Sequence, residues 1–361
     1  MIKNLFISLM IITPVLLSFL SGCSSEISSS NAAIAAKATD DIVYELVVND
    51  HNPVSTGPAQ STIFWAKQIE SVSGGRLKLT VYTDGYLLNG EEAFRGVKTG
   101  VCDITVYVMD KREGFTLNTV MSLPFMGWPE MAKTRLINMQ LLQEFPAMQA
   151  EWEGVTILAT KMNPPTHLHT SGKIVKTPAD MQGLKLFCAE DALITIAKTA
   201  GAIPVDVDIT EMTALLEREL MEGVINHFPV CYIFKALDYL PYHTVFSDGG
   251  INMTQECLIM NNKRLDSLPS DLQALLLNSG DIWNNKFAEY DAADMEKALQ
   301  FCKDRNHTFT RLTSEELIEW QNLIKVPIYD EWLKAANAKG QPAQAVFDRA
   351  RELAAQSQYQ H

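Results

Sequence analysis

Residues Thr177 to Phe187 read TPADMQGLKLF, and the segments around this stretch decide the fold class. Its end, Lys185 to Cys188, reads as extended; Ala192 to Ala200 then reads helical and Val205 to Val207 extended again. The same order occurs nearer the start of the chain. Ile42 to Val48 clusters β-formers as a strand does, Asn49-Asp50-His51-Asn52-Pro53 breaks it, and a helix is predicted over Gly57 to Val72. Gly74-Gly75 turns into a second strand, Leu77 to Tyr82; Glu91 to Thr99 reads helical and Ile104 to Val108 extended. Strands alternating with helices argue for an α/β protein with largely parallel sheets covered by helices. The last third is helical, and both Ser270-Asp271-Leu272-Gln273 and Thr313-Ser314-Glu315-Glu316 fit the capping-box pattern.

The first 22 residues carry Lys3 and then an apolar run ending in Leu20-Ser21-Gly22-Cys23, which has the charge, length and small-residue ending of a signal peptide. Pro14 interrupts the run and no second span follows, which argues against a transmembrane anchor. Ser24 to Asp40, rich in Ser and Ala, reads as a flexible leash. Removing the leader takes away Lys3 and no acid, so the formal charge moves from -13 to -14. A surface that acidic repels phosphate backbones and argues against a nucleic-acid partner. Apart from Cys23 there are five cysteines, an odd number without a CxxC or zinc spacing, and they read as small buried apolar groups.

The run Asp180-Met181-Gln182-Gly183-Leu184-Lys185-Leu186-Phe187 resembles the D-L-K-G-L-K-I-R segment of solute-binding proteins of tripartite ATP-independent periplasmic (TRAP) transporters, of the dicarboxylate-binding or DctP type. Further colinear matches are Ser73 to Leu79 with T-G-G-R-V-K-V, Val97 to Ile104 with L-Q-x-G-x-x-D-M, Leu123-Pro124-Phe125, Gly201 to Val205, and Leu268 to Gln273. Leu20 to Cys23 likewise looks like a bacterial lipobox, which implies a lipid on Cys23 and tethering to a membrane.

The resemblance implies a two-lobed, periplasmic-binding-protein-like α/β fold with a hinge and long C-terminal helices. Its expected parts are a signal peptide over 1–22, a lipidated leash over 23–40, a binding domain over 41–335 and a helical tail over 336–361. Lobe I is expected over about 41–163 and 250–280, and lobe II over about 164–249 and the C-terminal helices. It also implies a non-catalytic protein of the periplasm or cell envelope that closes on a small organic solute and delivers it to the permease subunits, with no cofactor or metal. A sensory protein that presents solute to a receptor is the alternative. An envelope hydrolase is the remote one, since the sequence has no GxSxG, HExxH or P-loop.

Open α/β sheets bind ligands beyond the carboxyl ends of their strands. That places His51 and Asn52, Tyr107 to Asp110, His167 to Thr170, Phe187 to Glu190 and Asn226 to Phe228 around one cleft, with Glu91, Glu92, Asp110, Glu190 and Asp191 as its acids. In the resembled family an arginine after G-L-K-I grips the solute carboxylate with its planar fork. Here that position is Phe187, and no arginine lies between Arg135 and Arg218. By spacing His167 takes the place of a second family arginine; with His169 it also makes an i, i+2 pair, although no third metal ligand accompanies them. Asn226, His227 and Phe228 replace the D-G-x of the family's G-V-V-D-G-x-E-N segment. The joint departure points to a remodelled pocket for a solute that is not a simple carboxylate: an amine or quaternary ammonium, a polyol, or an aromatic compound stacked on Phe187.

Overall fold

The computed structural model describes residues 42–109, 113–188 and 191–358. The signal peptide, the leash with Cys23, and Asp110 and Glu190 of the expected cleft lie outside the described residues.

Gly74 and Gly75 both take left-handed backbone, φ 65° and 81°, and turn the chain from the Gly57–Val72 helix into the Leu77–Tyr82 strand. The first sheet is built from β1 (Tyr44–Asn49), β2 (Leu77–Tyr82), β3 (Ile104–Val108), β4 (Val155–Met162) and β10 (Gln255–Asn261), in the order β2-β1-β3-β10-β4. The second contains β5 (His167–Thr170), β6 (Lys185–Phe187), β7 (Ile203–Val205), β8 (Gly223–Asn226), β9 (Tyr242–Val245) and β11 (Thr308–Arg311), in the order β11-β9-β5-β8-β6-β7.

Both sheets are mixed, which corrects the expectation of largely parallel pairing. β10 runs antiparallel to β3 and β4, and β5 antiparallel to β8 and β9. The cause is the way the chain changes lobes. β4 ends at the cleft and passes directly into β5, and β9 ends there and passes into β10, so each arriving strand starts where its neighbours finish. The two crossing segments hydrogen-bond to each other: Asn163 N–H donates to the Thr254 carbonyl (2.8 Å), Thr166 N–H to Asn252 (3.0 Å) and Ile251 N–H to Thr166 (2.9 Å).

Two long helices bind the lobes together. The Gly280–Asp304 helix buries Trp283 and Phe287 in the core of the first lobe and Ala298 and Cys302 in that of the second. The Ser314–Ala338 helix, with Pro327 inside it, ties Trp320 to the Lys176 carbonyl at one end, and Tyr329 and Trp332 to the carbonyls of Pro124 and Thr116 at the other. It starts at a capping box: Glu316 N–H donates to the Thr313 hydroxyl (3.2 Å) and Thr313 N–H to the Glu316 carboxylate (2.8 Å). At Ser270 the expected box is absent; Pro269 takes the cap position, and Gln273 donates to the Leu268 carbonyl instead (2.8 Å).

Candidate functional site

Eight residues picked from the sequence, His51, Asn52, Glu91, Glu92, Tyr107, Val108, Asn226 and His227, come together on the wall of one cavity of about 460 Å³ between the lobes. Its position follows from topology, because Asn52 follows β1, Tyr107 closes β3, and Asn226 and His227 end β8. Asp50 holds Asn52 in place by accepting from both its backbone and side-chain amide groups, each at 2.9 Å. Tyr107 buries its ring among Phe94, Phe115 and Trp152 behind the wall. His227 caps the Phe228–Ile233 helix, its Nδ1 accepting from Val230 N–H at 3.3 Å, so the neutral ring carries its hydrogen on Nε2. Burial, helped by the charge of Lys161, pushes the His227 pKa down to about 3.

Phe187, His167 and Phe228, expected around the cleft, are not among the residues that line this cavity. In β6 Leu186 and Phe187 point to opposite faces. Phe187 is wholly buried in an apolar layer with Met212, Met221, Val224 and Phe228, and Leu186 lies in a different cluster. The Phe228 ring packs against His169 (4.6 Å between centroids), His243 (5.2 Å) and Phe309 (5.6 Å). His167, 5.8 Å from the same ring, is held down to a pKa of about 4 by burial and by Arg311. His167 and His169 do not form the metal pair that their spacing allowed, since His169 turns to His243 instead, Nδ1 to Nδ1 at 2.8 Å.

The floor of the cavity holds a group that the sequence reading missed. Lys161 of β4 lies opposite Glu256 of β10 in the antiparallel register, and its ammonium is 3.3 Å from Glu256, 3.5 Å from Asp291 and 2.7 Å from Asn163 Oδ1. It also sits 3.2 Å from the centroid of the Phe287 ring. Of its three N–H donors one goes to Asn163 and one reaches Asp291, while Glu256 pairs with it by charge. Burial, together with the Glu256 charge, raises the Asp291 pKa despite Lys161. The sequence signal was faint: a single charge near the end of an apolar strand, with its partner at the start of another. A rule that looks only beyond strand ends passes over both.

The cavity is acidic. Glu91, Glu92, Glu113, Asp206, Asp208, Glu256 and Asp291 line it, against Lys161 and the exposed Arg95 among the described residues. His51 Nδ1, buried on the same wall, has no hydrogen-bond partner among the described residues. A second, more apolar cavity of about 430 Å³ lies between Ser122–Pro124, the Asp191–Thr199 helix and Trp332 of the Ser314–Ala338 helix.

Two sheets joined by paired crossings, with a polar cavity between them, define a solute-binding protein of the two-lobed class. Residues 50–335 match the family described as bacterial extracellular solute-binding protein, family 7, and the chain belongs to that family. It is an extracytoplasmic solute-binding protein of the TRAP type. A solute-binding protein of Verminephrobacter eiseniae is 26% identical over 254 residues, 68% of this chain and 71% of the relative. The 2,3-diketo-L-gulonate-binding periplasmic protein of Escherichia coli is 22% identical over 64% of this chain and 70% of its own length. Among solved structures, a TRAP solute-binding protein of Rhodoferax ferrireducens in complex with copurified benzoate superposes with a TM-score of 0.79 at 22% identity, covering 87% of this chain and 98% of the other. One from Bordetella bronchiseptica with bound mandelate gives 0.76 at 21% identity, covering 87% and 99%. These likenesses extend over the whole two-lobed fold.

Proposed function

We propose that the chain captures a small organic solute bearing an amine or quaternary ammonium group and delivers it to the membrane permease of a TRAP transporter. The observation that carries this reading is the charge of the cavity wall. Its one deeply placed cation, among the described residues, donates to Asn163 and is already paired with the carboxylates of Glu256 and Asp291, so the charge of Lys161 is offset before any solute carboxylate arrives. Seven acidic residues line the cavity, five of them besides the Lys161 partners Glu256 and Asp291. A solute cation 4 Å from one of them gains about 1 kcal/mol in bulk water and about 4 kcal/mol at the effective dielectric of a protein surface.

Benzoate and mandelate, which accompany the two structural relatives, are carboxylates, and the test sets the two classes against each other. In a thermal-shift screen of the mature protein, a ligand at a hundred times its dissociation constant stabilises by about 2.7 kcal/mol. Amines and quaternary ammonium compounds should raise the melting temperature; aromatic acids and dicarboxylates should leave it unchanged. Shifts confined to the acids would overturn the choice of head group and leave solute capture standing. Recovery of the solute unchanged after prolonged incubation is expected of a binder without catalysis.

The anchor belongs to the same reading. Cys23 is taken as the lipidated mature N-terminus, holding the lobes at the outer face of a membrane; no helix among the described residues is long and apolar enough to cross one. Mass spectrometry should find diacylglycerol on Cys23, and an unmodified terminus elsewhere would defeat the proposal. Permease genes beside this one distinguish delivery to a transporter from presentation to a receptor.

A further inference from the structure

Behind the cleft lies a chain of imidazoles that solute binding does not use. His169 Nε2 is 3.1 Å from the carbonyl oxygen of Asn226, and its Nδ1 is 2.8 Å from Nδ1 of His243. A carbonyl only accepts, so His169 carries its hydrogen on Nε2 and accepts at Nδ1. His243 must then donate from Nδ1, which leaves a lone pair on its Nε2. Two groups converge on that lone pair: His307 Nδ1 at 3.0 Å and Cys302 Sγ at 3.4 Å. One in-plane lone pair accepts one hydrogen well, so as a hydrogen-bond network the arrangement leaves either the thiol or the imidazole poorly served. A single cation placed among the three atoms serves all of them.

We propose that His243 Nε2, Cys302 Sγ and His307 Nδ1 bind one thiophilic late-transition-metal ion, zinc(II) or copper(I). The three ligand atoms already lie within 4.8 Å of one another. Tetrahedral zinc, with bonds of about 2.0 Å to nitrogen and about 2.3 Å to sulfur, needs N···N near 3.3 Å and N···S near 3.5 Å. The present 3.0 and 3.4 Å have to open by a few tenths of an ångström, and the third edge, Cys302 Sγ to His307 Nδ1, which lies within 4.8 Å, has to settle near 3.5 Å.

The surroundings are those of a built site. Cys302 lies in the last turn of the Gly280–Asp304 helix, whose carboxyl end favours a cation. The turn after it is fixed by left-handed Asn306 (φ 56°) and by His307 N–H donating to the Cys302 carbonyl at 2.9 Å. The Asn226–His169–His243 chain orients one ligand in the way outer-shell hydrogen bonds orient metal-bound histidines. Phe228 and Phe309 flank His243 at 5.2 and 4.8 Å. His307 is half-buried, which gives an ion its way in and a water its place as fourth ligand. The nearby Arg305 guanidinium lies over the Phe301 ring (3.7 Å) and pairs with Asp238 (3.7 Å).

The test uses the full mature protein, reduced, free of any affinity tag and stripped with a chelator. Zinc(II) and copper(I) are titrated separately, and cobalt(II) serves as the optical probe of the zinc geometry. One equivalent should bind, and the cobalt form should show a thiolate-to-cobalt charge-transfer band that Cys302→Ser lacks. His307→Gln, at a half-exposed position where the fold should persist, should weaken zinc binding at least about 100-fold, judged against the effect of losing even an outer-shell partner. Cys102→Ser, in the other lobe, should change nothing. Preference for one ion over the other decides its identity within the proposal. Failure of all three ions to bind stoichiometrically to the folded wild type would overturn it, as would zinc affinity and a cobalt charge-transfer band unaltered by His307→Gln and Cys302→Ser.

Discussion

Replacing Phe187 by alanine separates a ring in the core from a ring against solute. The side chain has no exposed surface and packs with Met212, Met221, Val224 and Phe228 on one face of β6. Truncating it removes that packing and leaves a cavity that the flanking strands β7 and β8 cannot easily close, which typically costs about 3–5 kcal/mol. With an unfolding entropy of about 2.1 cal/mol/K per residue, the roughly 320 residues after Asp41 give about 0.7 kcal/mol/K, so a 4 kcal/mol loss lowers the melting temperature by about 6 °C. Solute affinity, measured by calorimetry with a ligand found in the screen, should change by less than about threefold because the ring does not reach the cavity. Phe187→Arg should fail to fold, since it buries an unpaired guanidinium. A Phe187→Ala protein that melts normally and binds about thirtyfold more weakly would refute the reasoning and return the ring to the cleft.

Three further outcomes are expected. Lys161→Met should destabilise by about 3–5 kcal/mol in urea titrations, because Glu256 and Asp291 stay buried without their partner; adding Glu256→Gln and Asp291→Asn should recover much of the loss, and no recovery would mean that packing on Phe287 matters more than charge. The pKa values of His167 and His227 are depressed to about 4 and 3, below the unfolded value of about 6.5, so their contribution to stability is complete above pH 6.5 and is lost as pH falls toward those values; each should remove on the order of 1–2 kcal/mol by pH 5, and solute affinity should be flat between pH 6.5 and 8, where neither ring titrates. Gly250→Ala should destabilise the crossing, since φ is 63° and a Cβ would meet the Thr166 backbone, its nitrogen at 2.7 Å; unchanged melting would show that the paired crossing segments can shift without cost.

Much of this architecture is local and was therefore legible in the chain. The Gly57–Val72 helix, β2 and β3 lie where periodicity and turn residues put them, and Thr313 and Glu316 form the cap that their spacing predicts. These features depend on residues a few positions apart, which the sequence specifies directly. The cleft was half legible for the same reason. Asn52, Tyr107, Asn226 and His227 follow or close strands, and the ends of strands can be read from one segment at a time.

What the chain alone did not determine was which face of a strand meets which lobe, and which strands arrive from the other lobe. A three-residue strand such as β6 gives no period by which to tell the solute side from the core side, so the place of Phe187 depended on its neighbours β7 and β8. Lys161, Glu256 and Asp291 are separated by 95 and 35 residues along the sequence and meet only because β10 arrives antiparallel beside β4 and the Gly280–Asp304 helix lies across both lobes. His243, Cys302 and His307 likewise come from a strand, a helix end and the turn after it. Burial and charge pairing are properties of the folded surroundings, and spacing along the chain does not encode them.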